Sequence, residues 1–262
     1  MHTHTFTIPV YKESPYLEQC IQSLLQQTVK SYIIITTSTP TVFTQNLAQK
    51  YGIAYFVNNS EKKDITSNWN FALSKVTTAY ATIAHQDDIY MATYTETTMA
   101  AIKGSKQVLI AFTNYTELVH NQLRRFSLNA LIKNCLLFPF YITRNVKSTF
   151  LKKLVLLFGD PICCPSVTFN LQALPGFNFS SRYSCVIDWY AWYGLANKQG
   201  SFVYINKKLM SHRIHTDSET TQHINNGRRK QEELELFEMM WGKRAAKFIS
   251  RVYAIGHKDN VI

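Results

Sequence analysis

The sequence lacks the short motifs that mark several common enzyme classes. It contains no Gly-x-Gly-x-x-Gly loop, no Gly-Lys-Ser/Thr phosphate loop, no Gly-x-Ser-x-Gly turn and no His-Glu-x-x-His pair. Each of these motifs positions groups that its chemistry requires. Their absence leaves no support for a dinucleotide-dependent enzyme, a P-loop ATPase, a serine hydrolase or a zinc peptidase.

Cys-x-x-Cys pairs and long apolar runs are absent as well. The five cysteines form no Cys-x-x-Cys pair, so no zinc knuckle or thioredoxin-type site is predicted. No uninterrupted apolar run reaches ~18 residues, the length that a membrane-spanning helix needs. The first residues lack the basic flank and apolar run of a signal peptide. These absences predict a cytoplasmic protein whose cysteines are small core residues.

Glycine and proline are scarce. The chain has nine Gly and seven Pro among 262 residues, too few for a long disordered linker. Because 46% of the residues are hydrophobic, the chain can bury a large core. The composition predicts one α/β domain over residues 1–220, followed by a C-terminal helical extension over residues 221–262.

Acidic residues are missing from residues 121–159, within a chain of net charge +11. Basic side chains alternate there with large apolar ones, a combination typical of binding to an anionic membrane surface. The alternative is a buried helix pair whose lysines extend to solvent. We favour a membrane-facing helical insertion, since solvated faces usually carry acids, and no nucleic-acid-binding motif accompanies the charge. The basic residues are Arg124, Arg125, Lys133, Arg144, Lys147, Lys152 and Lys153.

Strands and helices alternate along the first half of the chain. Short apolar runs predict strands, and the segments between most of them have apolar residues at helical spacing. This alternation predicts a mostly parallel sheet covered by helices on both faces. Ligands bind such sheets beyond the carboxyl ends of the strands, which is where His85-Gln-Asp-Asp88 lies. The predicted strands cover residues 5–10, 31–36, 53–57, 79–84, 108–112, 166–170, 202–205 and 209–214, and helices are predicted near 17–25, 41–50, 69–76, 186–197 and 220–252.

Asp87 and Asp88 concentrate negative charge at this sheet edge. Two adjacent carboxylates repel each other unless they share a cation, and oxygen ligands suit Mg²⁺ or Mn²⁺. The alternative is an acidic turn that caps a helix from Ile89 onward. The pair alone favours the cap, so the metal interpretation depends on its context.

Four segments in order resemble the motifs of family 2 glycosyltransferases, which have the GT-A fold. Phe6 to Thr28 resembles their opening, in which the first strand ends in Pro-Val-Tyr, an acidic residue follows and the next helix ends in Gln-Thr. His85 to Tyr90 resembles the Asp-x-Asp region, and Ile187-Asp-Trp189 the acceptor-site motif. His212-Arg-Ile-His215, followed by Ser218, resembles the Arg-x-His element. Together the motifs cover roughly residues 5–220.

The resemblance implies a nucleotide-sugar site with Mn²⁺ or Mg²⁺ as its cofactor. Asp87 and Asp88 are then expected to bind the metal and the ribose-diphosphate, and the metal neutralises the leaving nucleoside diphosphate. Arg213 is expected to pair with phosphate oxygens, and His215 to complete the metal ligands. Strand alternation puts Arg213 and His215 on one face and His212 on the other. The nucleotide-binding residues implied are Pro9, Val10, Tyr11, Glu13, Thr37, His85 and Asp87.

The acceptor side is implied by the third motif. Asp188 is expected to be the general base that takes the proton from the acceptor hydroxyl, although it also suits a helix N-cap. Trp189 is expected to offer a platform to the acceptor sugar. The resemblance thus implies inverting transfer from a UDP- or dTDP-sugar to a glycan or lipid-linked acceptor, at the cytoplasmic face of the membrane.

Two departures from the family pattern motivate an alternative function. No Asp follows the second strand, where Ile35 to Pro40 offers Thr37 instead, and His85 stands where the first Asp of the Asp-x-Asp form is usual. A neutral imidazole still donates or accepts one hydrogen bond. The alternative is a catalytically inactive relative that binds a nucleotide or glycan as the partner of another transferase.

Overall fold

The computed structural model describes residues 2–124, 127–215 and 227–253. Arg125 and Ser218, which the sequence analysis singled out, lie outside these ranges. The strands are β1 (His4–Val10), β2 (Tyr32–Thr37), β3 (Ala54–Val57), β4 (Tyr80–Ile83), β5 (Ile89–Tyr90), β6 (Val108–Val119), β7 (Gln122–Leu123), β8 (Asn145–Val146), β9 (Val167–Asn170) and β10 (Ser201–Ile214).

The helices fill the connections between these strands and the end of the described chain. They are α1 (Leu17–Leu25), α2 (Val42–Lys50), α3 (Ile65–Ser74), α4 (Tyr94–Lys103), α5 (Leu128–Leu136), α6 (Phe138–Ile142), α7 (Thr149–Leu154), α8 (Ile187–Ala196), α9 (Arg228–Trp241) and α10 (Lys243–Tyr253). None of the helices in the described ranges is long and apolar enough to cross a membrane.

Four strands form the parallel part of the sheet, in the order β3-β2-β1-β4. In β1, Phe6 and Ile8 on one face and Thr5 and Thr7 on the other are all buried, because helices cover both faces. The register places Val10 beside Thr37, so β1 and β2 end together. The amide of Ala84 donates to the carbonyl of Thr7 (2.9 Å), which brings the end of β4 close to them.

Antiparallel strands extend the sheet beyond β4. β9 pairs antiparallel with both β4 and β6, and β10 and β5 follow along the same sheet. The two strands predicted over residues 202–205 and 209–214 are one continuous strand, β10. The predicted α/β fold with a mostly parallel sheet and flanking helices is confirmed.

The chain divides into two compact units. Unit 1 contains Met1–Thr116, Cys163–Phe179 and Gly200–Arg213, and therefore most of the sheet. Its core is formed by apolar residues of β1, α1 and their neighbours, including Phe6, Ile21 and Tyr94. Unit 2 contains Glu117–Ile162, Ser180–Gln199 and the chain from Ile214 onward. Unit 2 thus includes both the segment 121–159 and the predicted helical extension.

The predicted C-terminal helix is two helices, α9 and α10, with Gly242 between them. Gly242 has φ 76°, a left-handed conformation that glycine adopts without steric cost. Phe237 of α9 and Tyr253 of α10 pack against the ring of Trp189 at centroid distances of 5.0 and 5.7 Å. These aromatic contacts join the C-terminal helices to α8 in the core of unit 2.

Lys152 corrects part of the membrane prediction. Its side chain is buried, and its Nζ donates to the carbonyl oxygen of Lys198 at 2.7 Å. Burial lowers the pKa of Lys152. The ammonium group of Lys152 therefore forms a hydrogen bond inside unit 2 and is not on a surface that a membrane could contact.

Candidate active site

His85 to Asp88 form a turn directly after β4, at the carboxyl edge of the parallel strands. The amide of Asp88 donates to the carbonyl of His85 (3.2 Å). The Gln86 side chain accepts from the amide of Tyr11 (3.2 Å) and donates to its carbonyl (3.3 Å). These two hydrogen bonds tie the acidic turn to the end of β1, so that both segments present one continuous site.

Asp88 is fully buried, and it caps no helix. The segment after it is β5, and the next helix begins only at Tyr94. Its Oδ1 accepts from the amide of Arg213 (2.9 Å) and lies 3.1 Å from Nδ1 of His212. The capping alternative is therefore excluded. β10 supplies the hydrogen bonds of this carboxylate, and Nδ1 of His85 lies 4.0 Å from its Oδ2.

The Arg213 side chain supports the acidic turn from below. Its Nε donates to the carbonyl of Asp87 (2.9 Å) and its Nη2 to Oε1 of Gln19 (2.7 Å). The guanidinium also stacks over the ring of Tyr16 at 4.1 Å, a cation–π contact. Arg213 is buried, so in this arrangement it links the acidic turn to α1 and its guanidinium is already engaged by protein groups.

His212 contradicts the expectation that it points away from the site. The imidazole lies beside Asp88, while the Arg213 backbone addresses the same oxygen. Alternation along a strand decides which face a side chain takes. Here, however, Asp88 contacts β10 through one side chain, that of His212, and one backbone amide, that of Arg213. Only the pairing of distant segments reveals this contact.

Two buried polar atoms of the turn have no hydrogen-bond partner among the described residues. They are Nε2 of His85 and Oδ2 of Asp88. Ligand atoms of His85, Asp87 and Asp88 lie within 4.8 Å of one another. Leaving such atoms unpaired costs about 1–3 kcal/mol each. A divalent cation with mixed nitrogen and oxygen ligands would satisfy them, so the residues present fit a metal.

The end of β1 and the turn after it contain most of the residues predicted to line the nucleotide. Val10 is buried, Pro9 is half-buried, and Tyr11 is 43% exposed at the end of β1. Lys12 has φ 55° and its amide donates to Oγ1 of Thr39 (2.6 Å). Glu13 is exposed. The exposed Tyr11 ring suits contact with a nucleobase.

Thr37 lies beside Val10, and its hydroxyl already accepts one hydrogen bond. Oγ1 of Thr37 accepts from the amide of Thr39 (3.0 Å), which shapes the turn after β2. The neighbouring hydroxyls of Thr36 and Ser38 are buried and have no hydrogen-bond partner among the described residues. Thr37 can still donate its hydroxyl proton to a ligand, because it acts only as an acceptor in its hydrogen bond with the Thr39 amide.

Asp188 lies in the first turn of α8, in unit 2. It is not the N-cap, which is Val186; its Oδ1 accepts from the amide of Trp189 at 2.9 Å. Asp160 is buried nearby, and burial, followed by the charge of Asp188, raises the pKa of Asp160 well above its usual range. Arg229 of α9 also interacts electrostatically with Asp188, and it is held at 2.8 Å from Oε1 of Glu233. The predicted base thus belongs to a network of charged groups.

Glu232 fixes the turn that leads into α8. Its carboxylate accepts from the amides of Ser184 (2.9 Å) and Cys185 (2.7 Å) and from the Ser184 hydroxyl (2.7 Å). Burial opposes its charge, but these donors together lower its pKa. Sequence reasoning missed Glu232, because nothing in the helix-prone segment 220–252 distinguishes it from its acidic neighbours.

Trp189 is placed differently from the expectation of a sugar platform. The side chain is 1% exposed, and its Nε1 donates to the carbonyl of Leu156 (2.9 Å). A platform needs an open ring face, and both faces of this indole lie in the core of unit 2. His215, also in unit 2, is half-buried directly after β10.

Comparison with known proteins gives one family. The model of glycosyl transferase family 2 matches residues 5–174. No curated protein matches the chain in sequence at a significant level.

Several solved structures share the fold at low sequence identity. A structure of TarS from S. aureus in complex with UDP-GlcNAc has a TM-score of 0.65 and 12% identity, over 98% of this chain and 72% of that one. A mannosyltransferase from Pyrobaculum calidifontis in complex with GDP-Man and Mn²⁺ has a TM-score of 0.61 and 13% identity, over 98% and 74%. Glucosyl-3-phosphoglycerate synthase from Mycobacterium tuberculosis, with Mn²⁺, UDP and glucosyl-3-phosphoglycerate, has a TM-score of 0.62 and 12% identity, over 91% and 80%.

Proposed function

The chain belongs to glycosyl transferase family 2 and is a nucleotide-sugar glycosyltransferase; we propose that it moves a sugar, with inversion, from a UDP- or dTDP-sugar to a glycan or lipid-linked acceptor of polysaccharide biosynthesis. The observation that carries the donor half of this proposal is that, within the described ranges, Nε2 of His85 and Oδ2 of Asp88 in the turn after β4 are buried without a hydrogen bond. The similar structures with UDP-GlcNAc, or with GDP-Man and Mn²⁺, support it.

The metal site of the proposal consists of His85, Asp87 and Asp88, with His215 as a further ligand. When bound there, Mn²⁺ or Mg²⁺ supplies positive charge that stabilises the leaving nucleoside diphosphate. His85 replaces the usual carboxylate with a neutral nitrogen ligand, which lowers the negative charge of the site by one. His212 and the Arg213 amide hold Oδ1 of Asp88, so its Oδ2 stays directed to a ligand.

The nucleoside half of the donor is proposed to lie along the ends of β1 and β2. The exposed ring of Tyr11 contacts the base, Pro9, Val10 and Glu13 line the base and ribose, and Thr37 shapes the turn beside them. The gap left by the missing Asp is proposed to be filled by hydroxyl groups of this turn, which accept or donate equally well. Arg213 is proposed to stabilise the diphosphate through its hold on Asp87.

Asp188 is proposed to be the general base. Its carboxylate takes the proton from the acceptor hydroxyl while that oxygen attacks the anomeric carbon, and the bond from this carbon to the diphosphate oxygen breaks. One displacement inverts the configuration. Trp189 then acts from the core by holding α8, because its indole is bonded to the carbonyl of Leu156.

Membrane contact through residues 121–159 stays part of the proposal. Phe138, Ile142 and Phe150 of this segment are exposed, and so is Lys147. An acid-free surface of this kind favours an anionic membrane, where a lipid-linked acceptor would be found. Lys152 is excluded from it by its burial.

Asp188→Asn tests the base. The amide cannot take a proton, so we expect transfer to fall by about a thousandfold, the contribution typical of a general base, while UDP binding by calorimetry with Mn²⁺ is unchanged. Normal turnover of this variant would show that another group is the base. A screen of nucleotide sugars for Mn²⁺-dependent hydrolysis by the unmodified protein tests the enzyme itself, and binding without any hydrolysis would favour the inactive relative.

A further inference from the structure

Helix α10 has one face that is fixed in the core of unit 2. Ala246 and Ser250 of this face are buried. At its end, the ring of Tyr253 lies so close to Gly159 that a side chain there would collide with it, and its hydroxyl accepts from the amide of Asp160 (3.4 Å). The orientation of α10 about its own axis is therefore determined by packing.

The opposite face carries two large apolar side chains. Phe248 is 71% exposed and Val252 is 53% exposed. They lie four residues apart and therefore one above the other on the helix surface. An ordinary surface helix keeps its apolar residues on the core side, so this exposed pair requires another explanation.

Basic residues surround the apolar pair. Lys247 and Arg251 form a second row beside it, and Lys243 and Arg244 precede it; all four are exposed. The chain contains no Asp or Glu from Met239 to Lys258. We define the outer face of α10 as Arg244, Lys247, Phe248, Arg251 and Val252. It therefore combines two apolar side chains with three cations and contains no acidic residue.

The acids of unit 2 do little to offset this charge, because most of those described are buried. Each serves an internal partner: Glu232 holds the turn before α8 and Glu233 pairs with Arg229. Glu117 accepts from the Ser127 hydroxyl (3.2 Å). The buried acids among the described residues of this unit are Glu117, Asp160, Glu232 and Glu233.

We propose that the outer face of α10 docks on an anionic lipid surface. The apolar pair enters the boundary between headgroups and acyl chains, and the three basic side chains of this face contact lipid phosphates. A nucleic acid would use the cations and could stack a base on Phe248, but it gives no role to the exposed Val252. The surface is separate from residues 121–159, and it rests on the proposed function only for its purpose, which is to bring the enzyme to a lipid-linked acceptor.

Vesicle cosedimentation of the full chain, without donor or metal, tests the proposal independently of catalysis. We expect binding to vesicles of phosphatidylcholine with phosphatidylglycerol and little binding to phosphatidylcholine alone. Lys247→Gln with Arg251→Gln should weaken binding about 30-fold at low salt, from about 1 kcal/mol per cation near the surface, and 0.5 M NaCl should weaken it similarly. Phe248→Ser with Val252→Ser should weaken it on the order of tenfold.

Matched control variants in unit 1 distinguish binding through this surface from non-specific binding to vesicles. Val42 and Phe43 are 72% and 37% exposed on α2, so Val42→Ser with Phe43→Ser removes a similar apolar pair. Lys62→Gln with Lys63→Gln removes two exposed cations. Both control pairs should leave vesicle binding within twofold of the unmodified protein.

Three results would overturn the assignment. The first is an absence of vesicle binding. The second is binding that the α10 variants leave unchanged, which places the contact in residues 121–159 if Lys147→Gln with Lys153→Gln abolishes it. The third is a dimer in sedimentation velocity that Phe248→Ser with Val252→Ser disrupts, which makes a second copy the occupant. Failure of Asp188→Asn to reduce transfer would affect none of these measurements.

Discussion

Asp88 in unit 1 and Asp160 in unit 2 are both buried carboxyl groups, and their surroundings differ in kind. Asp88 accepts from the Arg213 amide and lies beside the imidazole of His212, and its Oδ2 has no hydrogen-bond partner in the described part of the chain. Asp160 accepts one backbone amide, from Ile162 (3.0 Å), and lies in the field of Asp188. The first environment surrounds one carboxylate oxygen with donors and leaves the other for a ligand, whereas the second raises the pKa of its carboxyl group.

The difference shows how each unit supports its proposed task. A donor site must hold negative charge that a metal then neutralises. A negative charge beside a carboxylate raises its pKa and so favours the protonated form, which cannot take a further proton. Burial and the charge of Asp188 raise the pKa of Asp160, so Asp160 binds a proton more readily than an exposed aspartate does. The two units thus solve opposite electrostatic problems with the same residue type.

The largest difference in activity is expected between two single variants, Asp88→Asn and Asp160→Asn. Asp88→Asn keeps an acceptor at Oδ1 for Arg213 and His212 but removes the charge, so the cation is no longer stabilised. We expect transfer to fall about a thousandfold, which corresponds to ~4 kcal/mol, and Mn²⁺-dependent UDP binding to be lost by calorimetry.

Asp160→Asn is the matched control, because Asn has the shape of a protonated acid, the form towards which the raised pKa shifts Asp160. Transfer by this variant should stay within about threefold of the unmodified protein. If Asp88→Asn still binds UDP with Mn²⁺, or if Asp160→Asn loses as much activity as Asp88→Asn, the different roles assigned to the two carboxyl groups would be wrong.

The same comparison shows what the sequence predicts well. The ends of β1, β2 and β4 follow from short apolar runs, and family order adds a function to the acidic turn that these strands present. His212 and Arg213 are 124 and 125 residues from Asp88, and their contact depends on a strand pairing that no local pattern encodes.

Unit 2 is less readable from sequence. Composition predicted exposure for Lys152, and the family resemblance implied it for Trp189, but both side chains are buried. Ser184 and Glu232 meet across 48 residues. Residue type and helical spacing do not distinguish a core aromatic or a buried lysine from an exposed one, so only the packing decides.

Glu232→Gln should have an intermediate effect. A carboxamide retains one acceptor oxygen in place of two charged ones, so at least one of the hydrogen bonds from Ser184 and Cys185 is lost. Hydrogen bonds to a charged group contribute about 1.5–3 kcal/mol, so the free energy of unfolding should fall by about 2 kcal/mol. Since Asp188 moves with this turn, kcat should fall roughly tenfold, with the donor KM unchanged.

Glu235→Gln, on the exposed side of the same helix, is the control for this variant, and it should change neither stability nor kcat. Glu232→Asp shortens the side chain but keeps the charge, and it should restore part of kcat. A fall in kcat for Glu232→Gln that exceeds the change caused by Asp188→Asn would show that Glu232 does more than position the turn.

The pH dependence of stability should give the smallest and most specific difference. The pKa of Glu232 is lowered in the folded protein, so its stabilisation is present above about pH 4.3, its unfolded pKa, and is lost as the pH falls through the folded pKa. The pKa of Asp160 is raised, so the folded protein binds more protons than the unfolded chain, and stability falls as pH rises above about 3.9 until the folded pKa is passed. Asp160→Asn removes this loss. Chemical unfolding of the variant and the unmodified protein between pH 4 and pH 8 should therefore show a difference in the free energy of unfolding that moves in favour of the variant as pH rises. A difference that moves the other way would mean that the pKa of Asp160 is not raised in the folded protein. The contrast between the two buried carboxyl groups would then be wrong.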